Sequence, residues 1–103
     1  MKQQYENREE IETIGSMIEI GRASRETSTG KNEYRLFRKD VESEDFLICV
    51  KCADTSEYGF LEGNLSEVSL LFEKTVSGEV PPYVLTEILE DYSKEKLLSS
   101  IKN

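Results

Sequence analysis

The residue pair with the clearest chemical associations is Cys49 and Cys52, which match the pattern Cys-x-x-Cys. A redox-active pair needs both sulfurs on one side of the chain, usually at a helix start where the dipole lowers a thiol pKa. Here Phe46, Ile48 and Val50 alternate with other residues and predict a strand, on which positions i and i+3 face opposite sides. We therefore expect two separate strand cysteines that form no disulfide. The remaining chemical alternative is a zinc site shared by the four cysteines of two chains.

The sequence contains no histidine, so the commonest general base and metal ligand is missing. A Ser-His-Asp or Cys-His arrangement cannot be assembled from one chain. Carboxylates such as Glu87, Glu90 and Asp91 remain for acid–base chemistry, but their spacing places them on the wet face of an amphipathic helix. We predict no catalytic residue, no cofactor and no metal site.

The hydrophobic period changes at about Gly63, and this change predicts the architecture. Before it, apolar residues alternate as half-buried strands require. After it, apolar residues recur every three or four positions, as in a helix with one buried stripe. The pattern predicts an α+β fold, in which an antiparallel meander of three to four strands is followed by two helices packed on one sheet face.

The element bounds follow from turn and cap signals. Ser66 is the expected N-cap of the first helix, Gly78 stops that helix in a left-handed conformation, and Pro82 opens the second helix. The strands are predicted at 14–25, 32–41, 45–53 and 58–62, and the helices at 67–76 and 82–98.

Length and composition indicate one domain. The 103 residues are 37% hydrophobic and 33% charged, which is polar but above the disordered class. Residues 1–13 have little to bury and are predicted to be a flexible segment, with a short helix as the alternative, and residues 14–103 form the domain. No apolar run is long enough for a membrane span or a signal peptide, so we expect a cytoplasmic protein with no membrane partner.

The charge is acidic but unevenly distributed. Thirteen Lys and Arg against 21 Asp and Glu give a net charge of −8, which lacks the positive footprint that nucleic acid binding requires. The bases of the first two predicted strands form a candidate docking patch for an acidic partner, or they protect a sheet edge from aggregation. They are Arg22, Arg25, Lys31, Arg35, Arg38 and Lys39.

The second face of the predicted sheet is a candidate interaction surface. If the face with Phe46 meets the helices, Leu47 and Cys49 point the other way, alongside Met17 and Phe37. An uncovered patch of this kind often marks an association surface. The alternatives are that residues 1–13 cover the patch, or that these are scattered surface residues.

Several segments of the chain form a recognisable set. They are Asn32-Glu33-Tyr34-Arg35-Leu36, the strand 46–52, Tyr58-Gly59-Phe60, Thr75-Val76-Ser77, Pro81-Pro82, and Leu85 through Glu90-Asp91-Tyr92. Together they resemble a family of short proteins of Gram-positive bacteria whose function is unknown. The resemblance spans residues 32–92 and implies a stand-alone cytoplasmic domain. It assigns no activity and no catalytic or binding residue.

These observations favour a non-enzymatic protein–protein interaction or regulatory module. Its partner is either another protein or a second copy in a homodimer. An enzyme or ligand-binding domain that uses carboxylate or Tyr chemistry is one alternative, and an acidic mimic of nucleic acid is another.

Overall fold

The computed structural model describes residues 16–28 and 30–102, with side chains described as far as residue 95. Residues 1–13, predicted as a flexible segment, lie outside the described residues. The described chain forms four strands and two helices. They are β1 (Ile18–Thr27), β2 (Gly30–Arg38), β3 (Asp45–Cys52), β4 (Thr55–Glu62), α1 (Leu65–Ser77) and α2 (Pro82–Lys102).

The predicted α+β meander is confirmed. Consecutive strands pair antiparallel in the order β1-β2-β3-β4, and both helices follow the sheet in sequence. β4 begins at Thr55 instead of residue 58 because Cys52 pairs with Thr55 across a two-residue turn, and α2 ends at Lys102 instead of residue 98. Ala53 in that turn has a φ of 53°. No helix in the described part of the chain is long and apolar enough to cross a membrane.

The strand register divides the sheet into two faces. Leu36 lies opposite Ile48, and Tyr34 lies opposite Val50. We call their side the helix face, because α1 and α2 pack on it. The side that carries Phe37 and Leu47 is the opposite face. The buried core on the helix face consists of Tyr34, Leu36, Phe46, Ile48, Val50, Leu61, Val68, Phe72, Leu85 and Leu89.

Two glycines allow the helices to approach the sheet closely. A Cβ added at Gly21 would meet Phe72 of α1 at 3.2 Å, and one added at Gly59 would collide with Leu89 Cδ1 of α2. Phe72 and Leu89, which belong to the apolar residues that recur every three or four positions after Gly63, therefore face the sheet. β1 is less regular than predicted, because a bulge between Glu19 and Gly21 interrupts its register and leaves Ile20 40% exposed.

Two helix-end predictions are wrong. The N-cap of α1 is Asn64, whose side chain accepts from Glu67 N at 2.9 Å while Glu67 accepts from Asn64 N, as in a capping box. Ser66 lies inside the helix. At the other end Gly78 is right-handed, and the left-handed residue is Glu79, with a φ of 53°.

The core assignment gives a stability prediction. Replacing Leu89 by Ala should lower the free energy of unfolding by about 2–5 kcal/mol, since the side chain is 7% exposed and fills the space above Gly59. Replacing the exposed neighbour Glu90 by Ala should change it by less than about 0.5 kcal/mol. Urea unfolding monitored by circular dichroism measures both, and equal losses would contradict this helical phase.

Candidate functional site

The two cysteines lie on opposite faces of β3. Cys49 is 5% exposed and belongs to the opposite face, whereas Cys52 is half-buried on the helix face, across from Asn32. Neither cysteine is in a disulfide. Within residues 16–28 and 30–95, no three His, Cys, Asp or Glu side chains are grouped closely enough to hold a metal ion.

The six bases proposed as one docking patch do not share one surface. The strand register puts three on the opposite face and two on the helix face, while the sixth follows the end of β2. Arg38 is also engaged locally, since its Nε donates to Ser43 O at 2.8 Å and its guanidinium lies 5.3 Å above the Phe46 ring. Arg22, Lys31 and Arg35 lie on the opposite face, Arg25 and Arg38 lie on the helix face, and Lys39 follows the end of β2.

Two of these bases are paired with Glu19. Arg22 NH2 lies 3.1 Å and Arg35 Nε 2.6 Å from Glu19 Oε1. The hydrogen bonds from Arg22 are the largest influence and lower the pKa of the Glu19 carboxyl. Desolvation, the next largest, opposes them, and the hydrogen bond from Arg35 lowers the pKa further. Arg35 also lies over Phe37, with 4.7 Å between the guanidinium carbon and the ring centroid. The Arg35 pair therefore joins β2 to β1, whereas the Arg22 pair lies within β1.

The four residues predicted as an interaction surface lie together on the opposite face. Phe37, Leu47 and Cys49 are 1%, 0% and 5% exposed, and Met17 packs against them. The sequence placed these side chains on one face and left open whether that face is covered; Phe37, Leu47 and Cys49 are buried. Because these side chains are buried, an accessible docking surface on this face has to lie at the margin of the cluster.

That margin is the strand β4. Phe60 lies opposite Leu47, and Tyr58 lies opposite Cys49, so both rings share the face of the buried cluster. Phe60 is 60% exposed and Tyr58 is 37% exposed. Their ring centroids are 6.1 Å apart in an edge-to-face arrangement. The apolar row that is buried on β2 and β3 thus becomes accessible on β4.

The backbone N–H and C=O groups of Tyr58 and Phe60 also point away from the rest of the sheet. Gly63 N donates to Glu44 O at 3.0 Å, which fixes the phase of the ladder with β3. Because alternate residues of an antiparallel strand bond to opposite sides, the N–H and C=O groups of Ser56, Tyr58 and Phe60 point away from β3. Within the described part of the chain, β4 has no strand neighbour on that side.

The two edges of the sheet differ in their protection. β1 has a bulge and carries four charged residues, both of which discourage another strand from pairing. β4 runs in unbroken register with β3 and contains neither Lys nor Pro. Sequence reasoning missed Tyr58 and Phe60 as site residues. The signal was two aromatic residues at positions i and i+2 of the last strand, which contains neither Lys nor Pro.

The buried polar residues serve the helix connection. Tyr34 donates its hydroxyl to Val80 O at 3.0 Å, and Asn32 Nδ2 donates to the Tyr34 hydroxyl at 3.0 Å and to Glu79 O at 3.4 Å. Asn32 Oδ1 has no hydrogen-bond partner among the described residues. Burial raises the pKa of the Tyr34 phenol, against a smaller opposing effect of the Asn32 hydrogen bond. This cluster holds the α1–α2 connection against β2 through a neutral phenol.

Comparison with protein-family models, with curated proteins and with solved structures finds no match for this sequence. The resemblance to the Gram-positive family is therefore neither confirmed nor excluded. The function is therefore inferred from the geometry of the described residues.

The Tyr34 hydroxyl should make stability depend on alkaline pH. A phenol whose pKa is higher in the folded state stabilises the fold fully below its unfolded pKa, near 10, and this stabilisation is lost as pH rises through the folded pKa. Tyr34→Phe should cost about 1–3 kcal/mol at neutral pH, because Val80 O loses its donor, and should reduce the alkaline loss. Unfolding titrations at neutral and alkaline pH measure this, and an undiminished alkaline loss in Tyr34→Phe would exclude the assignment.

The opposite face should show a sharp contrast between its buried and accessible parts. Leu47→Glu should lower the free energy of unfolding by at least about 3 kcal/mol, because it places an uncompensated charge at a fully buried position. Phe60→Lys should cost about 1 kcal/mol or less, since that side chain is mostly exposed. Thermal unfolding of the two variants compares them, and a stable Leu47→Glu protein would mean that this face is open.

Proposed function

We propose that this protein is a non-enzymatic interaction module that binds a protein partner along the exposed edge of β4. The observation that supports this most strongly is the combination of outward-directed backbone groups with the accessible rings of Tyr58 and Phe60. An added strand obtains affinity from main-chain hydrogen bonds and specificity from alternate side chains. Both elements of that recognition mode are present on one strand.

The arrangement of the buried polar groups also favours binding over catalysis. Asn32 and Tyr34 contact the α1–α2 connection, and Thr75 donates its hydroxyl to Leu71 O at 2.8 Å within α1. These groups hold backbone segments in place. The two cysteines, which form no disulfide, suit a reducing compartment, and we propose that the module works in the cytoplasm.

Affinity capture with paired variants tests this proposal. Wild-type protein, Phe60→Lys and Leu70→Lys should each be immobilised and exposed to an extract of the cells from which the protein comes. Leu70 is a matched control, because it is an apolar residue that is 52% exposed and belongs to α1 instead of β4. We expect Phe60→Lys to lose a partner that wild type and Leu70→Lys retain. Equal retention by all three proteins would reject the β4 edge as the binding surface.

A further inference from the structure

We propose that the partner segment is an extended, lysine-containing stretch of another protein, which adds to β4 as a fifth strand. This inference rests on the proposed function and names the chemistry of its partner. Three features of the described residues lead to it: the position of α2, the charge of β4, and the side chains that a fifth strand would meet.

The position of α2 argues against a second copy at this edge. α2 packs mainly over β4, where Leu89 covers Gly59. Neighbouring strands are about 4.8 Å apart, whereas packed helices need about 8–10 Å between their axes. Two copies joined through β4 would bring their α2 helices onto the same face and too close together. A segment that arrives without a helix on that face meets no such obstacle.

The charge of the edge favours a cationic segment. Glu57 is exposed on β4, and the strand contains no base. The whole chain carries a net charge of −8. A lysine directly across from Glu57 would form a favourable cross-strand pair, whereas a glutamate there would be repelled.

The neighbouring side chains define the rest of the segment. In an antiparallel fifth strand, the residues across from Phe60 and Tyr58 lie on the opposite face and should be aromatic or β-branched. The residue across from Gly59 lies beneath α2 and should be small. The residue across from Leu61 should be apolar. The peptide Val-Tyr-Ser-Val-Lys, flanked by Thr, satisfies these requirements. Its five residues lie, in order, across from Leu61, Phe60, Gly59, Tyr58 and Glu57.

A labelled peptide of this sequence provides the test. Fluorescence anisotropy should show saturable binding to the wild-type chain and to Leu70→Lys, and a loss of at least about tenfold in affinity with Phe60→Lys. Methylation of the backbone nitrogen of the peptide's Tyr should also abolish binding, since that N–H would donate to Phe60 O. Circular dichroism of each variant confirms that the fold is retained.

Exchange of charge tests the partner chemistry separately. A second peptide has Glu in place of Lys. The wild-type chain should prefer the Lys peptide by about threefold or more, and Glu57→Lys should reverse this preference. Added salt should reduce both preferences, because the pair is exposed.

The alternative outcomes are distinct. Failure of wild type to bind the Lys peptide, unchanged binding by Phe60→Lys, or an absence of charge preference would each overturn this inference. So would a dimer that sedimentation detects in wild type but not in Phe60→Lys, since the occupant would then be a second copy. The proposed function fails separately, if proteins captured from cell extract are indifferent to Phe60→Lys.

Discussion

Every strand of a sheet carries hydrogen-bonding groups on two sides, and the outer strands of an open sheet have a strand neighbour on one side only. This constraint governs the part of the chain that the structure describes, because the order β1-β2-β3-β4 leaves two long edges there. On β1, a bulge and the ion pairs around Glu19 discourage another strand from pairing with the edge. β4 runs in unbroken register with β3, and it is also where the apolar row of the opposite face becomes accessible.

The two faces of β4 have different roles. On the helix face, Gly59 lets Leu89 pack directly on the strand, so the fold places α2 above this edge. On the opposite face, Tyr58 and Phe60 extend a cluster that is otherwise buried. The position of α2 limits what can approach the edge on the helix face. The rings of Tyr58 and Phe60 supply apolar contacts to a segment that pairs with the edge. Together they favour a slender extended segment over a second domain of this kind.

The sequence predicted most of the fold because periodicity and packing agree within it. The alternation from Phe46 to Cys52 identified β3 and its two faces, and the stripe that contains Phe72 identified α1. Local backbone geometry was less predictable. The bulge at Ile20 depends on pairing with β2, and the capping box of Asn64 competed with a second suitable residue, Ser66.

The candidate site was harder to predict, since exposure depends on what covers a surface. Leu47 and Phe60 are both apolar residues that alternate along strands and lie opposite each other. One is fully buried and the other is 60% exposed. The difference comes from what covers each side chain, and a pattern along one strand contains no information about that.

Amide hydrogen exchange of β4 is the most direct test of an open binding edge. We expect rapid exchange at Tyr58 and Phe60 in the protein alone, slow exchange at Gly59 and Leu61, and protection of the first two on addition of an extended lysine-containing peptide. The outward amides of β1, such as Ser24, should be unaffected. Slow exchange at Tyr58 and Phe60 without the peptide, or protection that appears on β1 instead, would show that β4 is not an open binding edge.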